Sequence, residues 1–226
     1  MKLVFLHGLG QNQDSWDAVI KNLDSNTQCV SLDLFASVHE NSQLSFSLLN
    51  EQLTKRLSLI KEPYILCGLS LGGILALTQA TMKNNFLQGI IVSGAQFESP
   101  NKILIDLQNL MFQFMPNKNF IELGITKRQT IALCKSLKAL NLRKNMFYIN
   151  IPTLVICGAE DKANLNASEE LATLIPNAEL HIIPGQHILN EEQPLAFAKL
   201  INMYHKKYFS SQENRGDIEK AVIVNK

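Results

Sequence analysis

Hydrophobic and polar positions follow one another along this chain in two rhythms. Short runs that are almost wholly apolar recur between glycine, proline or polar clusters. Longer stretches between them bring an apolar residue back every three or four positions. The first rhythm predicts strands buried on both faces, and the second predicts helices packed on them. Lys2–Leu6, Thr27–Leu34, Tyr64–Cys67, Leu87–Ser93, Pro152–Gly158 and Glu179–Ile183 read as strands. Helices are expected from Asp14 or Ser15 through about Leu23, and from beyond Ser45 to about Ile60, stopped by Pro63. Others follow Gly72, span about Ala167 to Leu174, and run from Glu191–Pro194 to about Tyr208. This alternation predicts an α/β fold with a doubly wound, all-parallel sheet of about six strands. The expected spatial order is second, first, third, fourth, fifth, sixth, with Thr27–Leu34 at an edge and any site at the strands' carboxyl ends.

The alternation breaks between Phe97 and Tyr148, where no strand is convincing. The segment is helical and greasy, with Leu110, Met111, Phe112, Phe114 and Met115 in near succession and Pro100, Pro116 and Gly124 as punctuation. Residues 97–149 are therefore read as a helical insertion into a core formed by 1–96 and 150–209, with 210–226 as a polar C-terminal tail. Met111, Phe114 and Met115 are expected to bind substrate by lining an apolar pocket, since thioethers and flat rings adapt to varied apolar shapes. The alternative is that they form only the insertion's own small core.

Composition narrows the function. A chain of 226 residues with 46% hydrophobic content suits one sizeable α/β domain. A net charge of +1 gives no reason to expect nucleic acid or an anionic membrane as partner. The opening apolar run is too short for a signal peptide, and nothing approaches the ~20 apolar residues of a membrane span. Cys29, Cys67, Cys134 and Cys157 lack metal-ligand spacing, and three of them fall in predicted strands. Free core thiols fit a reducing cytoplasm. No cofactor is implied, the partner is expected to be a small molecule, and oligomeric state is left open.

The candidate chemistry begins at Gly68-Leu69-Ser70-Leu71-Gly72, a G-x-S-x-G run between an apolar strand and a helix. Such a turn holds its serine in a strained conformation with the hydroxyl raised above the sheet edge. A serine nucleophile needs a base, a group to orient it, and donors for the oxyanion. Of the five histidines, His205 lies in a late helix and is expected to be exposed. His181 lies within a strand, His39 at the rim, and His7 reads as a structural part of the first loop. His187, in the loop after the last strand, is the expected base. Asp161 is the expected orienting acid, with Glu98 and Glu160 as competitors. The N–H of Leu71 opens a helix and lacks an intrahelical partner, and Leu9 is the expected second donor.

His7-Gly8-Leu9-Gly10 with Trp16 downstream, Gly68–Gly73, Gly158-Ala159-Glu160-Asp161 and Pro184-Gly185-Gln186-His187 occur in the order seen in the α/β-hydrolase superfamily, which this chain resembles over most of its length. The closest flavour is that of small carboxylesterases with a helical cap. The resemblance implies a Ser70–Asp161–His187 triad, an oxyanion hole at Leu9 and Leu71, and a cap over residues 97–149. It implies a serine hydrolase cleaving a small carboxylic ester or thioester. Two departures stand out. The first loop starts at residue 7, so the sheet should lack the two leading strands usual in the family. Gln186 also stands where the family commonly has a small residue. The same fold and triad also serve lyase and carbon–carbon chemistry, as in the menaquinone-pathway lyases, whose acidic substrate favours arginines. A ligand receptor built on the fold is a third reading. Ser70 argues against epoxide hydrolases and dehalogenases, which need a carboxylate nucleophile.

Overall fold

The computed structural model describes residues 1–39, 42–99, 112–113, 115–121 and 124–223. Its sheet consists of β1 (Lys2–Leu6), β2 (Gln28–Leu32), β3 (Tyr64–Leu69), β4 (Leu87–Ser93), β5 (Thr153–Gly158) and β6 (Ala178–Ile183). All neighbours pair in parallel, in the order β2-β1-β3-β4-β5-β6. This is the order expected from the sequence, with β2 at an edge. Side chains alternate across each strand, and β1, β3, β4 and β5 are buried on both faces, while the edge strands β2 and β6 stay partly exposed. Val4, Leu66, Val92 and Val155 join one core, and Leu3, Ile65, Ile91 and Leu154 join the other. A strand covered on both sides has no polar face to show, hence the unbroken apolar runs.

Among the described residues the α-helices are α1 (Asp17–Ile20), α2 (Phe46–Leu57), α3 (Leu71–Ala80), α4 (Lys118–Ile121), α5 (Lys127–Ser136), α6 (Arg143–Met146), α7 (Leu165–Leu174), α8 (Leu189–Glu192) and α9 (Pro194–Ile223). Leu49, Leu53 and Leu57 of α2 recur at helical spacing and are buried with α3 on one face of the sheet. On the other face, Trp16 packs between Phe5 and Phe197, with ring centroids 5.0 and 5.4 Å away, tying the first loop to β1 and α9.

Three local readings change. The helical stretch after the first loop is a 3₁₀ turn, Gln13–Trp16, followed by α1, and its cap is Asn12 rather than Asp14 or Ser15. The Asn12 side chain accepts the Asp14 N–H at 3.0 Å. α9 continues past Tyr208 to Ile223, so much of the expected tail prolongs it. That polar run carries Glu, Lys and Gln and no proline, a composition compatible with a helix. Cys29 is half-buried because its strand is at the edge.

Candidate active site

Ser70 has φ 52° and ψ −113°, and no other non-glycine residue among those described has positive φ. Such a conformation costs on the order of 1–3 kcal/mol and persists only where its surroundings fix it. Here the Ser70 N–H donates to the Ser93 carbonyl at 2.8 Å, and its own carbonyl accepts the Ile74 N–H at 2.9 Å. The turn is tight enough to require its glycines. A Cβ on Gly68 would lie 2.2 Å from the Gly72 carbonyl oxygen, and one on Gly72 would lie 2.2 Å from that of Leu6. Both obstacles are backbone, so α3 presses directly on the ends of β1 and β3.

The turn after β5 brings Asp161 beneath the loop after β6. His187 Nδ1 lies 2.8 Å from Asp161 Oδ2. Burial alone would raise the Asp161 pKa, but the hydrogen bonds from His187 and Asn164 outweigh it and hold the carboxyl below its ordinary 3.8. An ionised Asp161 accepts, so Nδ1 carries the hydrogen. The crossing of the two loops is close. A Cβ on Gly158 would meet the carbonyl oxygens of Gln186 and Gly185 at 2.2 and 2.3 Å. Glu160 Oε2 accepts the Gly185 N–H at 3.0 Å, and Glu192 Oε2 accepts the Gln186 N–H at 2.6 Å. The bulky Gln186 side chain is exposed.

His7 is fully buried and structural. Its Nε2 accepts the Leu34 N–H at 3.0 Å, so its Nδ1 donates to the Gly8 carbonyl at 2.9 Å. That tautomer is neutral, and burial pushes the pKa below the usual 6.5 despite Asp33 nearby. The 3.7 Å approach to Asp33 is therefore not an ion pair. His39 is exposed and His181 sits half-buried in β6. His205 is half-buried, not exposed as expected, with its ring against Phe209. Of the competing acids, Glu98 pairs with Arg143 at 2.9 Å, and Glu160 holds the Gly185 turn.

One cavity of about 1010 Å³ gathers these groups. Ser70, Asp161, His187, Leu9, Leu71 and Met115 all line it, so the structure brings together six of the residues singled out in the sequence. Met111 and Phe114 lie outside the described residues. The rest of the wall is mainly apolar, with Ile74 below and Phe112, Phe120 and Leu137 from the β4–β5 segment. Cys134 also lines it, but burial pushes that thiol up to about 11, which keeps it protonated at neutral pH. No lysine or arginine is among the described lining residues. Nor do the described residues contain a cluster of His, Cys, Asp or Glu able to hold a metal ion.

Sequence reasoning missed several supporting side chains. Asn164 donates to both Asp161 oxygens at 2.8 and 2.9 Å, and its own oxygen accepts from Gln96 at 2.8 Å. Gly94 has φ +56° and lies against the His187 ring. Gln11 bonds the Gly8 N–H at 3.1 Å. Gly94 follows an apolar strand directly, and that position was a readable signal. Asn164 and Gln11 are ordinary polar loop residues in sequence.

Residues 3–200 match the model of the alpha/beta hydrolase family. A putative 2-succinyl-6-hydroxy-2,4-cyclohexadiene-1-carboxylate synthase of Haemophilus influenzae is 28% identical, over 77% of this chain and 87% of that one. Human monoacylglycerol lipase ABHD6 is 22% identical, over 94% of this chain and 77% of the lipase. The solved structure of MenH from S. aureus superposes with a TM-score of 0.78 at 18% identity, covering 92% of this chain and 94% of that one.

Proposed function

The chain belongs to the alpha/beta hydrolase family, and from that premise we propose that it is a serine hydrolase cleaving a small carboxylic ester or thioester through an acyl-enzyme on Ser70. The observation that carries this reading is the Asp161–His187 pair, 2.8 Å apart, on the wall of the cavity that the strained Ser70 also lines. Ser70 attacks the carbonyl carbon while His187 Nε2 takes its proton. Asp161 holds the Nδ1 hydrogen and stabilises the imidazolium. The N–H groups of Leu9 and Leu71 receive the oxyanion, with Leu71 at the positive end of α3. The imidazolium then protonates the departing alkoxide or thiolate, and water, activated by the same base, releases the acid.

Residues 97–149 act in this account as a cap over the core of 1–96 and 150–209, closing the acyl side of the cavity with Met115, Phe120 and Leu137. The same substrate-binding role is proposed for Met111 and Phe114. The wall suits a neutral, apolar acyl group. The four cysteines are free thiols, which suits a cytoplasmic setting, and no described helix is long and apolar enough to cross a membrane.

The Haemophilus influenzae relative favours a second reading, in which the same triad performs elimination on an acidic substrate. The lack of lysine or arginine among the described lining residues weighs against it. A panel of nitrophenyl esters of graded acyl length, run beside a cyclohexadiene carboxylate able to eliminate, separates the two. Steady ester turnover lost in Ser70→Ala supports the hydrolase. Elimination without ester turnover contradicts it.

A further inference from the structure

The loop after β1 and the segment after β6 come from opposite ends of the sequence, yet one buried side chain fastens them together. Gln11 Oε1 accepts the Gly8 N–H at 3.1 Å, and the Gln11 N–H donates to the Gly8 carbonyl at 3.2 Å. Gln11 Nε2 donates to Glu191 Oε1 at 2.7 Å and to Asn190 Oδ1 at 3.2 Å. Asn190 is fully buried and donates in turn to the Ser15 carbonyl at 3.0 Å. Both amide hydrogens and the amide oxygen of Gln11 are thus used, which fixes its orientation. Gly8 adjoins Leu9, and α8, which carries Asn190 and Glu191, begins just after His187.

We infer that Gln11 is a positioning residue that sets the oxyanion loop at a fixed distance from the His187 loop. The inference rests on the serine-hydrolase reading. Gln11 is not among the residues lining the cavity, so it acts through Gly8 and Leu9 on one side and through α8 on the other. By occupying the Gly8 N–H it also withdraws that donor from the oxyanion. Base and oxyanion donor must be correct together, because an error of about 1 Å in such a constellation costs ~10²-fold in rate.

An exchange of acid and amide separates positioning from mere fastening. Gln11→Glu keeps an oxygen for the Gly8 N–H but sets a second carboxylate against Glu191 across the 2.7 Å contact. The like charges push the two segments apart. Adding Glu191→Gln restores the contact with donor and acceptor reversed. The experiment measures kcat and KM on a nitrophenyl ester, the rate of Ser70 labelling by a fluorophosphonate, and the thermal midpoint. It compares the unaltered protein, Gln11→Glu, Gln11→Ala and the Gln11→Glu/Glu191→Gln pair. Gln11→Glu should lower kcat and the labelling rate ~10²-fold at unchanged KM, because the binding wall is untouched while the reacting groups are misaligned. Gln11→Ala should move in the same direction, and the pair should recover most of the lost rate. Wild-type kcat in Gln11→Glu overturns the inference. So does a pair that regains its thermal midpoint without regaining kcat. If Gln11→Glu does not fold, Gln11→Ala decides, and an unchanged kcat there overturns the inference. These outcomes leave the hydrolase reading intact. If the unaltered protein neither turns over esters nor labels at Ser70, the hydrolase reading falls and takes this inference with it.

Discussion

Gly94 is the backing of His187. A Cβ placed on Gly94 would lie 2.8 Å from both Cε1 and Nδ1 of the imidazole, and Gly94 itself has φ +56°. The obstacle is a side chain that can swing away, so Gly94→Ala should fold, with a modest loss from the left-handed backbone of ~1–2 kcal/mol. A displaced ring loses its 2.8 Å contact with Asp161. An ester kcat reduced ~10²-fold with KM near the original value is the expected outcome. A fully active alanine variant means that the ring packs elsewhere during turnover.

The acid can be tested by comparing two carboxylates. Asp161→Asn replaces the acceptor facing His187 Nδ1 by an amide that can settle the imidazole in the wrong tautomer, so kcat should fall by ~10⁴-fold. Glu98→Gln only weakens an exposed pairing with Arg143 and should leave the rate almost unchanged. Steady-state kinetics on both proteins check this. A crippled Glu98→Gln beside an active Asp161→Asn reassigns the acid.

His7 should give the fold a pH dependence of its own. Burial holds its folded pKa below 6.5. The unfolded chain therefore takes up a proton near pH 6.5 that the folded protein resists. The stability this group contributes is complete above that pH and falls as pH drops from 6.5 toward the folded value. The lowered Asp161 pKa has the usual carboxylate sign, and its loss comes further down, below about 3.8. Thermal midpoints between pH 8 and pH 5 should decline on the acid side in the original protein. His7→Gln should be less stable throughout but decline less steeply. Parallel curves contradict the assignment of a buried neutral imidazole.

Met115 lines the cavity and is half-buried, so it should read acyl length more than it holds the fold. Met115→Ala should move the best substrate toward longer acyl chains, with each added methylene worth ~1 kcal/mol in kcat/KM. The thermal midpoint should move little. An unchanged ester profile with a marked loss of stability would place Met115 in the packing of its own segment.

Legibility in the sequence followed the strength of the physical constraint. Strands buried on both faces leave long apolar runs, so β1 and β4 were read at their observed limits. Ser70 was legible because two backbones cannot pass so close unless glycines flank the turn. The first helix was harder. Asn12, Asp14 and Ser15 are all good caps, and which one closes the turn depends on the path the loop takes around Trp16. The extension of α9 was not legible because a polar helix and a polar coil share one composition. Asn164 and Gln11 stayed hidden for another reason. Gln96, which donates to Asn164, and Glu191, which accepts from Gln11, lie far along the chain, and only the fold joins each pair.

In the proposed mechanism Ser70 is a nucleophile served by His187. The most direct measurement is reaction with a fluorophosphonate followed by mapping of the labelled peptide, on the original protein and on His187→Gln. The expected result is a single phosphonate adduct on Ser70, formed in step with loss of ester turnover and slowed at least ~10²-fold without the imidazole, the scale expected of a general base. A protein that turns over esters while Ser70 stays unlabelled, or one whose Ser70 labels as fast without His187 as with it, contradicts the account.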